Sequence, residues 1–167
     1  ASAMALAAGA SFDAIVSGLH HARPVAGRQV MMQLGNQAIL IDDSYNANPG
    51  SVTAAIDALV TACALDKKSS ALVLGDMAEL GGAAEAMHYQ IGMYAKSRGI
   101  QQLFACGALS LATCNGFGEG AQYFLTQQAL IESLVQNVSS EQRLLVKGSR
   151  SSQMDKVVNK LVTTFSL

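Results

Sequence analysis

Strand-like and helix-like segments alternate along this chain from about residue 39 onward. The stretch 51–65 carries apolar residues every three or four positions, which is helical spacing, and the apolar run ALVLG at 71–75 follows it as a strand. Parallel strands need long crossover connections, so this alternation predicts an α/β protein with a mostly parallel sheet and helices on both faces. The same patterns predict helices over 83–98, near 108–114, over 130–138 and over 154–165, and strands over 102–106, 121–124 and 143–147.

A different organisation is predicted before this alternation. Residues 1–8 and 11–22 are predicted to form two short helices separated by a glycine, and Ser11 is placed to cap the second helix. The segment RPVAGR at 23–28 contains a proline and a glycine that break helices, so we place a domain boundary there. QVMMQL and QAILID then flank a Gly-Asn pair, which predicts a hairpin at the start of the main domain, 29–167.

Composition narrows the classes of function that the chain can have. Half of its 167 residues are hydrophobic and 14% are charged, which predicts a folded core rather than a disordered chain. Eleven Lys and Arg against 12 Asp and Glu leave a formal charge of -1, too little to gather nucleic acid or an anionic membrane surface. Apolar runs are broken well before the roughly 20 residues that a membrane span needs, so a soluble protein is expected.

The spacing of cysteines and histidines predicts no metal site. Cys63, Cys106 and Cys114 form no CxxC pair and have no ligand spacing with the histidines. An odd, unpaired set of cysteines is typical of a reducing cytosol, and burial as small hydrophobic residues is favoured for Cys63 and Cys106. His88 lies within the predicted helix at 83–98, where a satisfied, half-buried role is favoured over catalysis.

Polar loops follow three of the predicted strands, at 42–50, 76–81 and 148–151. Ligands of open parallel sheets bind beyond the carboxyl ends of the strands, so these loops predict a site at one edge of the sheet. The chain contains neither a GxGxxG nor a GxxxxGK[ST] motif. It therefore lacks both a dinucleotide fingerprint and a loop that could hold a triphosphate unaided.

Residue types alone leave two interpretations of each loop. The acids, tyrosine and asparagines of the first loop could bind a ribose and stack on a base, or could form a strand-to-helix turn capped by Asn48. Asp76 and Glu79 could contact a ligand or act as local turn and cap residues. Lys147 and Arg150 could hold an anion or be solvated surface charges.

The same loops resemble a known family. IDDSYNANPGSV at 41–52, LVLGDMAELG at 72–81 and LVKGSRSSQMDKVV at 145–158 are similar, in this order, to segments of the Mur ligases of bacterial peptidoglycan synthesis. HARPVAGR at 21–28 stands where this family has a similar segment. Within the family, DDSYNANP resembles the ligases that join D-alanyl-D-alanine to UDP-N-acetylmuramoyl-tripeptide, and the similarity runs through essentially the whole chain.

The resemblance implies a cytoplasmic bacterial enzyme of three domains, the third of them Rossmann-like. Residues 1–22 would be the last helices of a central ATPase domain, 23–28 a hinge, and 29–167 the complete third domain. Such ligases phosphorylate the tripeptide carboxylate with Mg-ATP, and the amine of D-alanyl-D-alanine attacks the acyl phosphate. Their phosphate loop, Mg²⁺ ligands and catalytic residues would lie mainly upstream of Ala1, so this chain alone is expected to be inactive.

The resemblance also implies roles for individual residues. Arg28 matches a linker arginine near the base or ribose, and Asp43 matches an acid at the ribose hydroxyls. Lys147, Ser149 and Arg150 match a KGSR loop, which is expected near the dipeptide carboxylate or a phosphate. The remaining matches are expected on the nucleotide side (Tyr45, Asn46 and Asn48) and on the substrate side (Asp76, Glu79 and His88).

Three alternatives stay open at this stage. The chain could be a stand-alone ligand-binding module without catalysis, or an interaction domain of the cell-wall machinery. It could also belong to another muramyl ligase or to a folylpolyglutamate synthase, which share the fold, although the DDSYNANP string argues against both.

Overall fold

Six strands form a single sheet in the computed structural model, which describes residues 2–21 and 25–166. The strands are β1 (Val30–Gln33), β2 (Ile39–Asp43), β3 (Ser69–Gly75), β4 (Gln102–Cys106), β5 (Ala121–Phe124) and β6 (Gln142–Lys147). Their order across the sheet is β1-β2-β6-β3-β4-β5; β1 pairs antiparallel with β2, and every other neighbouring pair is parallel. The predicted hairpin and the mostly parallel sheet are both confirmed.

Helices cover both faces of this sheet. The helices of the described residues are α1 (Ser2–Ala7), α2 (Phe12–His21), α3 (Pro49–Asp66), α4 (Ala84–Ser97), α5 (Ser110–Phe117), α6 (Gln127–Asn137) and α7 (Asp155–Thr164). The first face carries α3, α4 and α5, and the second carries α6 and α7. Successive residues of β3 serve opposite faces, with Leu72 and Leu74 in the first core and Ala71 and Val73 in the second. The predicted three-layer, Rossmann-like α/β fold is therefore confirmed.

The start of α3 is set by Asn48, directly after the polar loop that follows β2. The Asn48 side-chain oxygen accepts a hydrogen bond from the Ser51 amide at 2.9 Å, and the Ser51 hydroxyl accepts one from the Asn48 amide at 3.1 Å. This reciprocal cap satisfies two backbone groups and leaves the first helical position free for Pro49. The helix therefore begins two residues before the predicted start at 51.

Two glycines bring α4 and α5 unusually close together. A Cβ atom added to Gly92 would lie 2.0 Å from the Thr113 carbonyl oxygen, and one added to Gly116 would lie 2.0 Å from the Tyr89 carbonyl oxygen. The backbones of the two helices thus approach each other through positions that no other residue type can occupy without displacement. Helix α5 was predicted near 108–114, but it begins only at Ser110, because the residues before it form a turn around Asp76.

The N-terminal helices have no buried residue. Both helices were predicted, and the Ser11 hydroxyl accepts the Ala14 amide at 3.2 Å as the predicted cap. Apolar side chains on them, including Met4, Phe12 and Leu19, are exposed. Residue 1 and residues 22–24, which include part of the predicted hinge, lie outside the described residues, so the boundaries at 22 and 28 stay predictions. None of the helices within residues 2–21 and 25–166 combines the length and the hydropathy that a membrane span requires.

Candidate functional site

The three polar loops meet at the carboxyl edge of the sheet. Lys147 is the register partner of Asp43 in β2 and of Leu74 in β3, so these three parallel strands end side by side. After them the chain diverges, since α3 and α4 lie on one face and α7 on the other. A crevice between strands whose connections leave toward opposite faces is the usual ligand site of an open α/β sheet.

Asp43 and Lys147 form an ion pair at the end of this edge. The Lys147 ammonium donates to Oδ2 of Asp43 at 2.6 Å and to the Asn46 carbonyl oxygen at 2.9 Å. The Lys147 side chain is only 3% exposed and that of Asp43 is 13% exposed. Both residues were predicted to contact substrates, and the structure brings them into contact with each other.

Tyr45 lies between two arginines that come from distant parts of the chain. The guanidinium carbon of Arg28 is 4.1 Å from the centre of the Tyr45 ring, and that of Arg150 is 5.6 Å from it. A guanidinium over an aromatic face is attracted by the ring quadrupole, and the Tyr45 residue remains 40% exposed. In the described part of the chain neither arginine is paired with a carboxylate, so both charges are available to an anionic ligand.

Three clefts open around Tyr45, which lines all of them. The first cleft, of about 420 Å³, is also lined by Arg28, Asp43, Asn46, Asn48, Ala58 and Lys147. The second cleft, of about 510 Å³, is also lined by Asn46, Asn48, Ala78, Glu79, Arg150 and Ser151. The third cleft, of about 420 Å³, is also lined by Gly27, Asp42, Ser44, Arg150, Asp155 and Asn159. Ligands in the first two clefts would therefore be separated by one loop.

The linker before β1 is held against this loop by Asp42. One carboxylate oxygen of Asp42 accepts the Gly27 amide at 3.1 Å, and the other accepts the Ser44 hydroxyl at 2.6 Å. The Tyr45 amide donates to the Gly27 carbonyl at 2.9 Å. Gly27 has a φ of +73°, and a Cβ there would lie 2.9 Å from the Tyr45 nitrogen, so this contact requires glycine. Arg28 is thereby carried to the Tyr45 ring.

Asn46 and Asn48 line the clefts but also have local structural partners. The Asn46 side-chain oxygen accepts the Ala47 amide at 2.9 Å, and Asn48 caps α3. Of the two interpretations left open for this loop, the strand-to-helix turn is thus observed for Asn48. The amide nitrogens of both side chains can still donate to a ligand in either of the first two clefts.

Asp76 and Ser149 join the loops that follow β3 and β6. The Ser149 amide donates to the Asp76 carbonyl oxygen at 2.9 Å, and the Ser149 side chain is buried against Ser151. The Asp76 carboxylate accepts the Ser110 hydroxyl at 2.6 Å and the Leu109 amide at 3.2 Å. Asp76 therefore anchors the turn before α5, which is the local role that the sequence left open for it.

His88 is buried beneath the loop that carries Glu79. Its side chain is 0% exposed, its Nε2 accepts the Met77 amide at 3.0 Å, and its Nδ1 lies 2.7 Å from the Ala84 carbonyl oxygen. Both bonds form together only when Nδ1 carries the proton and Nε2 does not. Glu79 is exposed in the second cleft with a φ of +62°. His88 can thus reach the clefts only through the loop that it supports.

The described residues offer no activated nucleophile among their cysteines. Cys63, Cys106 and Cys114 are buried and free, as small core residues. Burial, and secondarily the charge of Asp76, raises the pKa of the Cys106 thiol, and burial raises the pKa of Cys114 to about 11. Thiols with raised pKa values stay protonated at neutral pH and are poor nucleophiles.

Several cleft residues were not predicted from the sequence. Gln29, with a φ of +54°, and Ala54 and Ala58 of α3 line the first cleft, and Asp155 and Asn159 of α7 line the third. Small residues on the exposed side of α3, just after a polar loop, were the available signal for Ala54 and Ala58. No local pattern marks Asp155 or Asn159, because they reach the edge only through the packing of α7.

Comparison with known proteins identifies the family to which this chain belongs. Residues 27–150 match the family described as Mur ligase, glutamate ligase domain, and the chain belongs to this family. It is 42% identical over 165 residues to the UDP-N-acetylmuramoyl-tripeptide--D-alanyl-D-alanine ligase of Escherichia coli strain K12, covering 96% of this chain and 35% of that protein. The relative from Bacillus subtilis strain 168 with the same name is 28% identical and is covered to 36%.

Solved structures agree with this assignment. A crystal structure of MurF from Acinetobacter baumannii superposes with a TM-score of 0.84 at 30% identity, covering 95% of this chain and 35% of that one. MurF from Thermotoga maritima, solved in complex with ADP, shares the fold with a TM-score of 0.80 at 18% identity, covering 98% of this chain and 36% of that one. The chain thus spans about a third of the length of these relatives.

Proposed function

We propose that this chain is the C-terminal domain of an ATP-dependent ligase that joins D-alanyl-D-alanine to UDP-N-acetylmuramoyl-tripeptide in the bacterial cytoplasm. The observation that carries the proposal is the convergence of three separate sequence motifs, those containing Asp43, Glu79 and Arg150, on one loop-lined edge. The 42% identity to the Escherichia coli ligase over nearly the whole chain supports the choice of substrates.

In the proposed reaction, the terminal carboxylate of the tripeptide takes the γ-phosphoryl group of ATP, which releases ADP. The amine of D-alanyl-D-alanine then attacks the acyl phosphate, an amide bond forms, and phosphate leaves. Within the described residues no three His, Cys, Asp or Glu side chains lie close enough to hold a metal. As the family resemblance implies, we assign Mg²⁺, which would stabilise the charge of the transferring phosphoryl group, mainly to the parts of the ligase outside this chain.

We assign the ATP nucleoside to the first cleft. Oδ2 of Asp43 is occupied by Lys147, but among the described residues no donor reaches its Oδ1, which is left to accept a ribose hydroxyl. Arg28 and Tyr45 form a flat cationic and aromatic surface beside it, suited to a base or ribose. The amide groups of Asn46 and Asn48 add donors on the same side.

We assign the dipeptide to the second cleft. Arg150 is exposed there without a carboxylate partner in the described part of the chain, and a guanidinium is well suited to hold a carboxylate through two hydrogen bonds. Ser149 is buried behind Arg150 and fixes the loop on which it lies. Because the two clefts share Tyr45, Asn46 and Asn48, the nucleotide and the dipeptide would be bound side by side.

The proposed hinge at 23–28 would let this domain close over a nucleotide held elsewhere in the ligase. The contacts of Asp42 and Tyr45 with Gly27 tie the end of the hinge to the site. Closure would carry Asp43 onto the ribose and exclude water from an acyl phosphate that hydrolysis would destroy. Residues 1–22 would then belong to the preceding domain, which would cover their exposed apolar side chains.

The proposal is tested by Asp43→Ala in the complete protein. We expect the KM for ATP to rise about tenfold or more, the usual effect of losing a hydrogen bond to a charged group, while the KM for D-alanyl-D-alanine stays within about twofold. Steady-state ADP release measures both constants, and the melting temperature checks folding. Glu119→Ala, an exposed change in the turn before β5 that lines none of the three clefts, is the control and should leave both constants unchanged. An unchanged KM for ATP would remove Asp43 from the nucleotide site.

A further inference from the structure

Lys147 occupies a position that its sequence motif did not reveal. It ends β6 and is the cross-strand partner of Asp43, the last residue of β2. Register partners of parallel strands point their side chains to the same face, so the ammonium and the carboxylate meet directly at 2.6 Å. The pair joins residues 104 positions apart in the sequence.

The ammonium of Lys147 is almost fully committed to the protein. Two of its three N–H groups are used by Oδ2 of Asp43 and the Asn46 carbonyl oxygen, and the side chain is 3% exposed. A substrate anion would have to displace a buried ion pair to reach it, and exposing one partner of such a pair is costly. Arg150, by contrast, is exposed and needs no such displacement.

The same contacts fix the direction of the Asp43 carboxylate. With Oδ2 held from the β6 side, Oδ1 is the oxygen left for the first cleft, and within the described residues it accepts no hydrogen bond. The bond to Asn46 also anchors the loop that carries Tyr45 and Asn48. Lys147 thus orients one ligand-binding oxygen and one loop at once.

Resting on the proposed function, we propose that Lys147 is a positioning residue for nucleotide binding, acting mainly through Asp43, with Asn46 as a second contact, and not by contact with the dipeptide or a phosphate. Loss of the ammonium would free the carboxylate to turn away from the cleft and would release the loop. The main consequence falls on the nucleotide side, because Asp43 lines the first cleft and not the second. Glu79 and Arg150, the charged residues of the second cleft, make no contact with Lys147.

The test uses the complete protein with Lys147→Met, Asp43→Ala and the double variant. We expect Lys147→Met to raise the KM for ATP about tenfold or more, with the KM for D-alanyl-D-alanine and kcat within about twofold of the parent. In the Asp43→Ala background the same change should weaken ATP binding by no more than about threefold, because Asp43, through which Lys147 mainly acts, is already gone and only the bond to Asn46 remains to be lost. Lys68→Met removes another lysine that donates to a backbone carbonyl, but at the opposite end of the sheet, and is the matched control.

Two results would overturn the inference. If Lys147→Met raised the KM for D-alanyl-D-alanine, Lys147 would contact the dipeptide directly. If Lys147→Met weakened ATP binding equally in the parent and in the Asp43→Ala background, Lys147 would contact the nucleotide independently of Asp43. Lys147→Met leaves the Asp43 carboxylate unpaired, and this buried charge could prevent folding. The double variant removes that charge, and its ADP affinity, measured by calorimetry, is then compared with that of Asp43→Ala. Affinities within about threefold of each other support the inference, and a double variant weaker than that contradicts it. A parent protein that binds ADP but forms no pentapeptide product would contradict the proposed function alone, since the calorimetric comparison still tests Lys147.

Discussion

Adjacent aspartates at the end of β2 have different partners. The Asp42 carboxylate accepts hydrogen bonds from Gly27 of the linker and from Ser44. Asp43 instead pairs with Lys147 and faces the first cleft. Successive residues of a strand point to opposite faces, so only one of two neighbouring carboxylates can serve a given cleft. The acidic pair could be recognised in the sequence, but its division of roles depends on which face β6 presents.

The Asp57 carboxylate is expected to make the free energy of unfolding depend on pH. The Tyr94 hydroxyl and the Arg98 guanidinium both hydrogen-bond its carboxylate and hold its pKa below the ordinary value. A carboxyl whose pKa is lowered by folding contributes stability above its unfolded pKa and loses it as the pH falls through the folded value. We expect Asp57→Asn to lower the free energy of unfolding at pH 7 and to have little effect in acid, below the pKa of Asp57 in the folded protein.

Urea unfolding of both proteins at the two pH values measures this difference. Glu119→Gln, which alters an exposed carboxylate in the turn before β5 that has no side-chain partner among the described residues, is the control and should be neutral at both pH values. A destabilisation by Asp57→Asn of the same size at neutral and acidic pH would show that its carboxylate charge is not responsible.

The packing of helix α4 against helix α5 depends on Gly92. A Cβ atom 2.0 Å from the Thr113 carbonyl oxygen must push the two helices apart, because the obstacle is backbone and not a flexible side chain. We expect Gly92→Ala to lower the free energy of unfolding by about 1–3 kcal/mol or more, despite the better helix propensity of alanine. Denaturant unfolding measures this change.

Gly82→Ala is the matched control for that experiment. Gly82 lies just before α4, and a Cβ added there meets nothing within 4 Å. It should therefore be neutral or mildly stabilising. If Gly92→Ala behaved like Gly82→Ala, the close approach of α4 and α5 would be contradicted.

The helices and strands could be predicted from the sequence, but the contacts between side chains of distant residues could not. Apolar spacing of about 3.6 residues identified α3, α4, α6 and α7, because each helix buries one face. Short continuous apolar runs identified β3, β4 and β6, because these strands are buried on both faces of the sheet. Sequence placed the loops with Asp43, Asp76 and Lys147 at one edge, and the structure does so. It did not predict that Asp43 and Lys147 pair, or that His88 lies beneath the Met77 amide, since register and burial depend on contacts between distant residues.

The chain as a whole has a cleft of about 420 Å³ beside Asp43 and no phosphate loop motif. It matches about a third of the length of its relatives, and its first two helices expose their apolar residues. These features agree with a domain that contributes a few side chains to substrates held mainly elsewhere. A formal charge of -1 is sufficient for that role, because Arg28 and Arg150 supply positive charge locally.

The most direct test of this account is a ligase assay of the complete protein beside the 167-residue chain alone. Each is incubated with Mg-ATP, UDP-N-acetylmuramoyl-tripeptide and D-alanyl-D-alanine, and the pentapeptide product and ADP are quantified. We expect the complete protein to form both in equal amounts, only when the dipeptide is present, and the 167-residue chain to form neither. A complete protein that forms no pentapeptide, or a 167-residue chain that turns over ATP by itself, would contradict the account.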